Sequence, residues 1–234
     1  MTENPPARVA AFFDLDNTLV RGACLFHVGR GTVRLGYLSM KKLLSFGWQQ
    51  FRFIRFGENL RTLGEVQDRA LQLVAGLPRS ELVGILPRIY RVNIRPRVWR
   101  DTVDLIRTHQ RAGHEVWLAT ASPAEVADLF VRELGLTGSI ATRLEVHDDL
   151  FTGRVLGHPA HGAEKALRVR ALAEARGYRL EDCFAYSDSI NDLPLMETVG
   201  HPVGINPDRL LRGIIHTRGW ESRKLHRRFL SSAR

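Results

Sequence analysis

Val9-Ala10-Ala11-Phe12-Phe13-Asp14-Leu15-Asp16-Asn17-Thr18-Leu19-Val20 decides how the rest of the chain is read. Val9 to Phe13 has the length and aromatic content of a buried strand. It stops abruptly at two carboxylates, Asp14 and Asp16, followed by Asn17 and Thr18. In an open α/β sheet, ligands bind beyond the carboxyl ends of the strands, where these acids would lie. A turn there frees backbone N–H groups to receive an anion. Two acids beside it can hold a divalent cation through oxygen. One acid can attack, and the other can move protons. A strand followed by an ordinary Asp/Asn turn is the plain alternative, so the downstream sequence has to decide.

Composition narrows the choice. The chain has 234 residues, 44% hydrophobic and 25% charged, which fits a globular protein of one domain or a domain with an insertion. No apolar run is long enough to span a bilayer. Met1 to Arg8 has no basic segment followed by an apolar stretch, so no secretory signal is expected. Cys24 and Cys183 sit far apart in apolar surroundings and read as buried thiols of a reducing compartment, which points to the cytoplasm. The net charge of +9 raises the prospect of an anionic partner: nucleic acid, a phosphorylated metabolite or an acidic membrane surface. The basic residues are spread along the chain, however, and nucleic acid is not expected as the partner. Residues 221–234 hold a local cluster, Arg223, Lys224, Arg227, Arg228 and Arg234, and are expected to form a solvated basic tail.

Residues 21–95 show no strand-like alternation. Leu35, Leu38, Leu43, Leu44, Phe46, Phe51, Ile54 and Phe56 recur at mixed helical spacing, and Leu82, Val83, Leu86, Ile89 and Tyr90 follow. This segment reads as a helical insertion, with Pro96 marking the return. From Val98 an α/β rhythm begins. A helix is expected over 98–111 and a strand over 114–119. Thr120-Ala121-Ser122-Pro123 then opens a helix, with Pro123 in its first turn. Residues 140–157 suggest a β-hairpin around Asp148-Asp149, and residues 161–176 a helix closed by Gly177. A strand over 183–186, a helix over 193–198 and a strand over 202–205 complete the expected core. Strands alternating with helices imply a mostly parallel sheet covered on both faces.

Three loops thus stand at the carboxyl ends of expected strands. They carry Asp14 and Asp16; Thr120 and Ser122; and Asp188, Asn191 and Asp192. Lys165 lies in the helix before the third strand. These are the parts needed for phosphoryl transfer with a metal ion. A carboxylate attacking a phosphate monoester approaches a dianion, and two unit charges at about 4 Å interact by roughly 4 kcal/mol even at an effective dielectric of 20. Mg²⁺ held by Asp14, the backbone carbonyl of Asp16 and Asp188 would offset that repulsion. Lys165 would add a second positive charge, and the Thr120 hydroxyl with nearby backbone N–H groups would bind the remaining phosphate oxygens. Each part has an ordinary alternative: Thr120 and Ser122 as helix caps, Lys165 as a solvated lysine, Asp188 and Asp192 at a helix start.

In this order the motifs resemble those of the haloacid dehalogenase superfamily of phosphatases. Asp14-Leu15-Asp16-Asn17-Thr18 is similar to the first motif, Thr120 to the second, Lys165 to the third, and Ser187-Asp188-Ser189-Ile190-Asn191-Asp192 to the fourth. The resemblance runs from Val9 to about Trp220, and the helical insertion is similar to the cap of subfamily IB, the phosphoserine phosphatase-like enzymes. It implies an α/β fold: a Rossmann-like, mostly parallel sheet with helices on both faces and a helical cap inserted after the first strand. The catalytic core would comprise 1–20 and 96–220, and the cap 21–95. The resemblance further implies Asp14 as nucleophile and Asp16 as general acid and base. Asp14, Asp16 and Asp188 become Mg²⁺ ligands, with Asp192 supporting the metal site. Thr120, Ala121, Ser122, Lys165 and Asn191 would bind the substrate's phosphoryl group.

One position departs from the resemblance. Phosphoserine phosphatases carry a Glu shortly after the first motif to receive the substrate's ammonium group. Ala23 stands there, and no acid occurs between Asp16 and Glu58. The expected activity is hydrolysis of a small phosphomonoester, with phosphotransfer on the same site as one alternative and a basic anion-binding module without catalysis as another. Residues 34–56 mix aromatic and basic side chains, so an apolar portion of the substrate or peripheral contact with an anionic membrane is a further reading beside simple packing of the cap.

Overall fold

The computed structural model describes residues 8–37 and 74–231. Its centre is β1 (Ala10–Phe13), every residue of which is fully buried. Successive side chains of a strand point to opposite faces. Ala11 and Phe13 accordingly enter one apolar cluster, and Ala10 and Phe12 the other. Burying each phenylalanine contributes about 1.5–3 kcal/mol. A strand apolar on both faces suits only the interior of a sheet covered on both sides.

β1 pairs in parallel with β2 (Glu115–Pro123) on one side and with β6 (Phe184–Ser187) on the other. The sheet has the order β3-β2-β1-β6-β7-β8, with β3 Gly138–Thr142, β7 His201–Ile205 and β8 Glu221–Arg223. All five pairings are parallel. Chain order runs outward in one direction through β2 and β3, and in the other through β6, β7 and β8. The reversal at β1 opens a crevice at the carboxyl ends of β1 and β6, the usual ligand position in such sheets.

Helices cover both faces. The Phe13 face takes α3 (Arg100–Arg111) through Val103 and Ile106, and α4 (Ala124–Leu134) through Val126, Leu129 and Phe130. Their apolar residues recur three to four apart, as one helix face requires. The Phe12 face takes α5 (Ala163–Arg176) through Val169 and Ala173, α6 (Leu193–Met196), and α7 (Arg209–Arg218) through Leu211 and Ile215. Gly135 and Gly177 end α4 and α5 in the left-handed region.

The segment after β1 contributes α1 (Cys24–Arg34) and α2 (Arg79–Ile89). A π-helical turn (Tyr90–Ile94) and a 3₁₀ turn (Arg95–Arg97) lead back to the core. Where the chain leaves and returns, Val20 bridges Val98 and the Arg21 N–H donates to the Arg97 carbonyl at 2.8 Å. Residues 38–56, which carry most of the aromatic and basic side chains expected of the cap, lie outside the described residues.

Several elements differ from expectation. Residues 138–142 form the edge strand β3 rather than part of a hairpin. The hairpin is shorter, β4 (Leu144–His147) with β5 (Leu150–Val155), and turns at Asp148 and Asp149, both at positive φ. β2 runs on through Thr120 to Pro123, so Pro123 precedes α4 rather than entering its first turn. The core continues past β7 into α7 and β8. The expected tail from 221 is corrected accordingly. Glu221–Arg223 pair with β7, the Leu230 N–H donates to the Val98 carbonyl, and the Phe229 ring lies 4.6 Å from Trp99. Apolar contact and backbone pairing order residues 221–230 despite their charge, and Arg234 lies outside the described residues.

Candidate active site

The end of β1 is fixed from the neighbouring strand: the Asp14 N–H donates to the Tyr186 carbonyl at 2.9 Å. The chain then turns tightly. Asn17 takes positive φ, and the Leu19 and Val20 N–H groups both donate to the Leu15 carbonyl. Asp16 is held by the inserted segment, since the Cys24 N–H in the first turn of α1 donates to its Oδ1 at 2.7 Å. Thr18 is buried, and its hydroxyl points at Asp188 Oδ1, 3.5 Å away.

Lys165 crosses beneath these carboxylates. Only 2% of it is exposed, and its Nζ lies 2.9 Å from Asp14 Oδ1 and 2.7 Å from Asp192 Oδ1. Asp192 Oδ2 accepts a hydrogen bond from Ser187 Oγ at 2.7 Å. Lys165 is therefore not a solvated lysine. One ammonium joins the end of β1 to the loop after β6, and it stands 151 residues along the chain from Asp14.

The electrostatics follow from four carboxylates at one site, two of them paired with the single ammonium. Burial raises Asp14 well above the usual carboxylate range, against the pull of Lys165, and Asp192, Asp16 and Asp188 push it further up. Burial pushes Asp16 up to about 6, although the Cys24 N–H opposes it. Asp188 is pushed up to about 7, by burial first and then by Asp192. Burial works against the Lys165 charge, yet Asp14 and Asp192 hold the ammonium well above its ordinary range. This is a site with surplus negative charge in a low-dielectric setting, and a cation would relieve it.

The donors are all oxygen. Asp14 has one carboxylate oxygen on Lys165, and Asp16 one on Cys24. Among the described residues no three His, Cys, Asp or Glu side chains form a ready-made metal cage. An all-oxygen donor set is the kind that a hard divalent cation takes.

Thr120, Ala121 and Ser122 sit at the end of β2, beside β1. The Ser122 N–H donates to Thr120 Oγ1 at 3.0 Å, and neither hydroxyl caps α4. Their ordinary capping role is thus excluded, and no hydrogen bond joins them to the acidic cluster among the described residues. Asn191 is exposed at the rim of its loop, its N–H donating to Ser189 Oγ. Two contributors were not anticipated. The Thr142 hydroxyl donates to the Ala121 carbonyl at 2.7 Å and accepts from the Ala160 N–H, joining the β2 loop to the approach of α5. Asp208 holds the loop after β6 from outside. An Asp placed just before an apolar helical stretch is the signal that marks it.

Comparison with known proteins agrees with this geometry. A family model described as haloacid dehalogenase-like hydrolase matches residues 11–197. Phosphoserine phosphatase SerB1 of Mycobacterium tuberculosis (strain ATCC 25618 / H37Rv) is 43% identical over 215 residues, 92% of this chain and 70% of that protein. The inhibition of morphological differentiation protein of Streptomyces azureus is 34% identical over 94% of this chain and 79% of its own length. Among solved structures, a protein with unknown function from Bordetella pertussis Tohama I superposes with a TM-score of 0.82 at 31% identity, covering 92% of this chain and 98% of that one. A phospho-aspartyl intermediate analogue of phosphoserine phosphatase shares the fold, with a TM-score of 0.68 at 19% identity and 96% coverage of both chains. With its fold and its motifs in these positions, the chain belongs to the haloacid dehalogenase-like hydrolases.

Proposed function

We propose that this protein is a Mg²⁺-dependent phosphomonoester hydrolase that works through an aspartyl-phosphate on Asp14. The observation that carries the reading is the buried Lys165, bonded to Asp14 at 2.9 Å and to Asp192 at 2.7 Å beside an independently anchored Asp16. Asp14, the backbone carbonyl of Asp16 and Asp188 would hold Mg²⁺, with Asp192 supporting the site. When bound, the ion would neutralise charge on the substrate phosphate.

The chain's own groups then have distinct tasks. Lys165 fixes Asp14 Oδ1 and leaves Oδ2 to attack phosphorus. Asp16, with its carboxyl pushed up to about 6, can hold a proton near neutral pH. It would give that proton to the departing alkoxide, then take one from the water that hydrolyses the acyl-phosphate. Thr120, Ala121, Ser122 and Asn191 would bind the remaining phosphate oxygens through hydroxyl, backbone and amide groups.

The core would comprise residues 1–20 and 96–220, and the cap 21–95, whose contacts would choose the leaving group. The relatives named phosphatases support hydrolysis as the reaction. Ala23 precedes α1 and offers no carboxylate to an ammonium group, which weighs against phosphoserine among small phosphorylated substrates. The two buried free thiols suit a reducing cytoplasm. No helix among the described residues is long and apolar enough to cross a membrane.

The test is release of phosphate from p-nitrophenyl phosphate with and without Mg²⁺, followed by a broad set of phosphomonoesters that includes lipid phosphates. Metal-dependent turnover supports the reading. Binding of anions without any turnover would favour the non-catalytic alternative.

A further inference from the structure

The loop Ser187–Asp192 supplies two of the four site carboxylates, and its own hydrogen bonds leave part of it unsupported. Ser187 Oγ donates to Asp192 Oδ2, the Ser189 N–H to Ser187 Oγ, the Asn191 N–H to Ser189 Oγ, and the Asp192 N–H to the Ser189 carbonyl. None of these bonds engages the Asp188 carbonyl or the Ile190 N–H. Asp208 engages both. Its N–H donates to the Asp188 carbonyl at 2.7 Å, and its Oδ2 accepts from the Ile190 N–H at 2.8 Å. Its other oxygen, Oδ1, accepts from the Leu211 N–H at 2.8 Å in the first turn of α7.

The approach to Asp208 is itself built. Asn206 takes positive φ, donates its N–H to the Arg223 carbonyl and accepts the Leu225 N–H on Oδ1 at 2.9 Å. Pro207 follows and stiffens the backbone leading to Asp208. Asp208 therefore joins three elements at once: the end of β7 through its backbone, and the start of α7 and the loop after β6 through its carboxylate.

We infer that Asp208 is a positioning residue for the cation site, setting where Asp188 stands relative to Asp14; this rests on the Mg²⁺ reading above. Asp208 stands outside the residues proposed to hold the cation or the phosphoryl group and acts through its bonds to the Asp188 carbonyl and the Ile190 N–H. Mg²⁺ tolerates little departure from octahedral geometry at about 2.0–2.1 Å. Partners that orient a metal ligand from outside its coordination shell are typically worth about 10- to 100-fold in metal affinity. A helix cap alone would need only the Leu211 bond.

Asp208→Ser separates the two roles. The serine hydroxyl can cap α7 but cannot also reach the Ile190 N–H. Thermal melts of the full chain over a range of MgCl₂ concentrations read metal binding, and phosphate release reads its consequence. We expect Asp208→Ser to melt close to wild type without Mg²⁺, and to need about 10- to 100-fold more Mg²⁺ for half of the stabilisation. Phosphate release should shift in Mg²⁺ requirement by the same factor, with kcat recovered at saturating Mg²⁺. Asp208→Asn, which keeps size and one acceptor, should shift the same way and serves if the serine variant does not fold. Equal Mg²⁺ half-saturation in variant and wild type would leave Asp208 a helix cap and overturn the inference while the phosphatase reading stands. A wild type whose melting ignores Mg²⁺ and whose turnover needs none would overturn the metal reading, and the inference with it.

Discussion

Lys165 donates to Asp14 across 2.9 Å where both side chains are almost fully withdrawn from water. Removing one partner of such a pair leaves an uncompensated buried charge. Lys165→Met is expected to cut phosphate release at pH 7 by at least about a hundredfold, the scale of losing one preorganised donor. The destabilisation should be worse at pH 8 than at pH 5. With the ammonium gone, Asp14 loses the pull that opposes its burial and holds a proton more tightly folded than unfolded, so stability is gained at low pH and lost as pH rises. Urea titrations at both pH values check the sign, and an equal loss at each would contradict it.

Asp16 is anchored by the Cys24 N–H at 2.7 Å and is the group placed to protonate the leaving oxygen. Asp16→Asn is expected to slow alkyl phosphates by about 10²- to 10⁴-fold and p-nitrophenyl phosphate much less, because a good leaving group needs little protonation. Equal losses for both substrate types in steady-state assays would remove Asp16 from that role.

Asp188 is pushed up to about 7 by burial and by Asp192, whereas an unfolded aspartate titrates near 3.9. Between about pH 4 and 7 the folded state holds the extra proton, so this group's contribution to stability falls as pH rises through that window. Asp16, at about 6, acts with the same sign over a narrower range. Asp188→Asn should therefore melt above wild type at pH 8 without metal, and the gap should close near pH 4. Mg²⁺ should raise the melting temperature of wild type and leave the variant unmoved. Identical melts at both pH values would contradict the assignment.

Two glycines separate packing from helix propensity. A Cβ at Gly200 would stand 1.8 Å from the Glu181 carbonyl oxygen, whereas one at Gly213 in α7 meets nothing within 4 Å. Gly200→Ala is expected to destabilise by about 1–3 kcal/mol or more, as overpacking does. Gly213→Ala should stabilise by about 0.5–1 kcal/mol. Urea unfolding of the two variants measures both, and the same sign for both would be inconsistent with this packing.

The residues differ in how far their positions could be read in advance. Asp14 and Asp16 were legible because Ala10–Phe13 is apolar without alternation, which suits a strand buried on both faces, and acids directly after it can only stand at the strand's end. Lys165 was legible as a candidate, but its two carboxylate partners lie 151 and 27 positions away in the chain and meet it only through the sheet. Gly138–Thr142 was misplaced because its parallel partner, β2, is set by tertiary pairing, while the adjacent Asp148-Asp149 turn gave a strong local hairpin signal. α7 was missed although Asp208 and Gly219 bracket it as caps, with Leu211 and Ile215 four apart. The segment after 221 looked solvated because its charges are local information, whereas the contact of Phe229 with Trp99 is not.

The central claim is that Asp14 carries the phosphoryl group. The direct measurement is acid quenching of the wild-type enzyme during turnover of a phosphomonoester with Mg²⁺, followed by mass spectrometry of the peptide containing Asp14. We expect one phosphoryl group on Asp14, absent from Asp14→Asn, whose phosphate release should be abolished. Turnover with no phosphoryl group on Asp14, or with the group on another side chain, would contradict the claim.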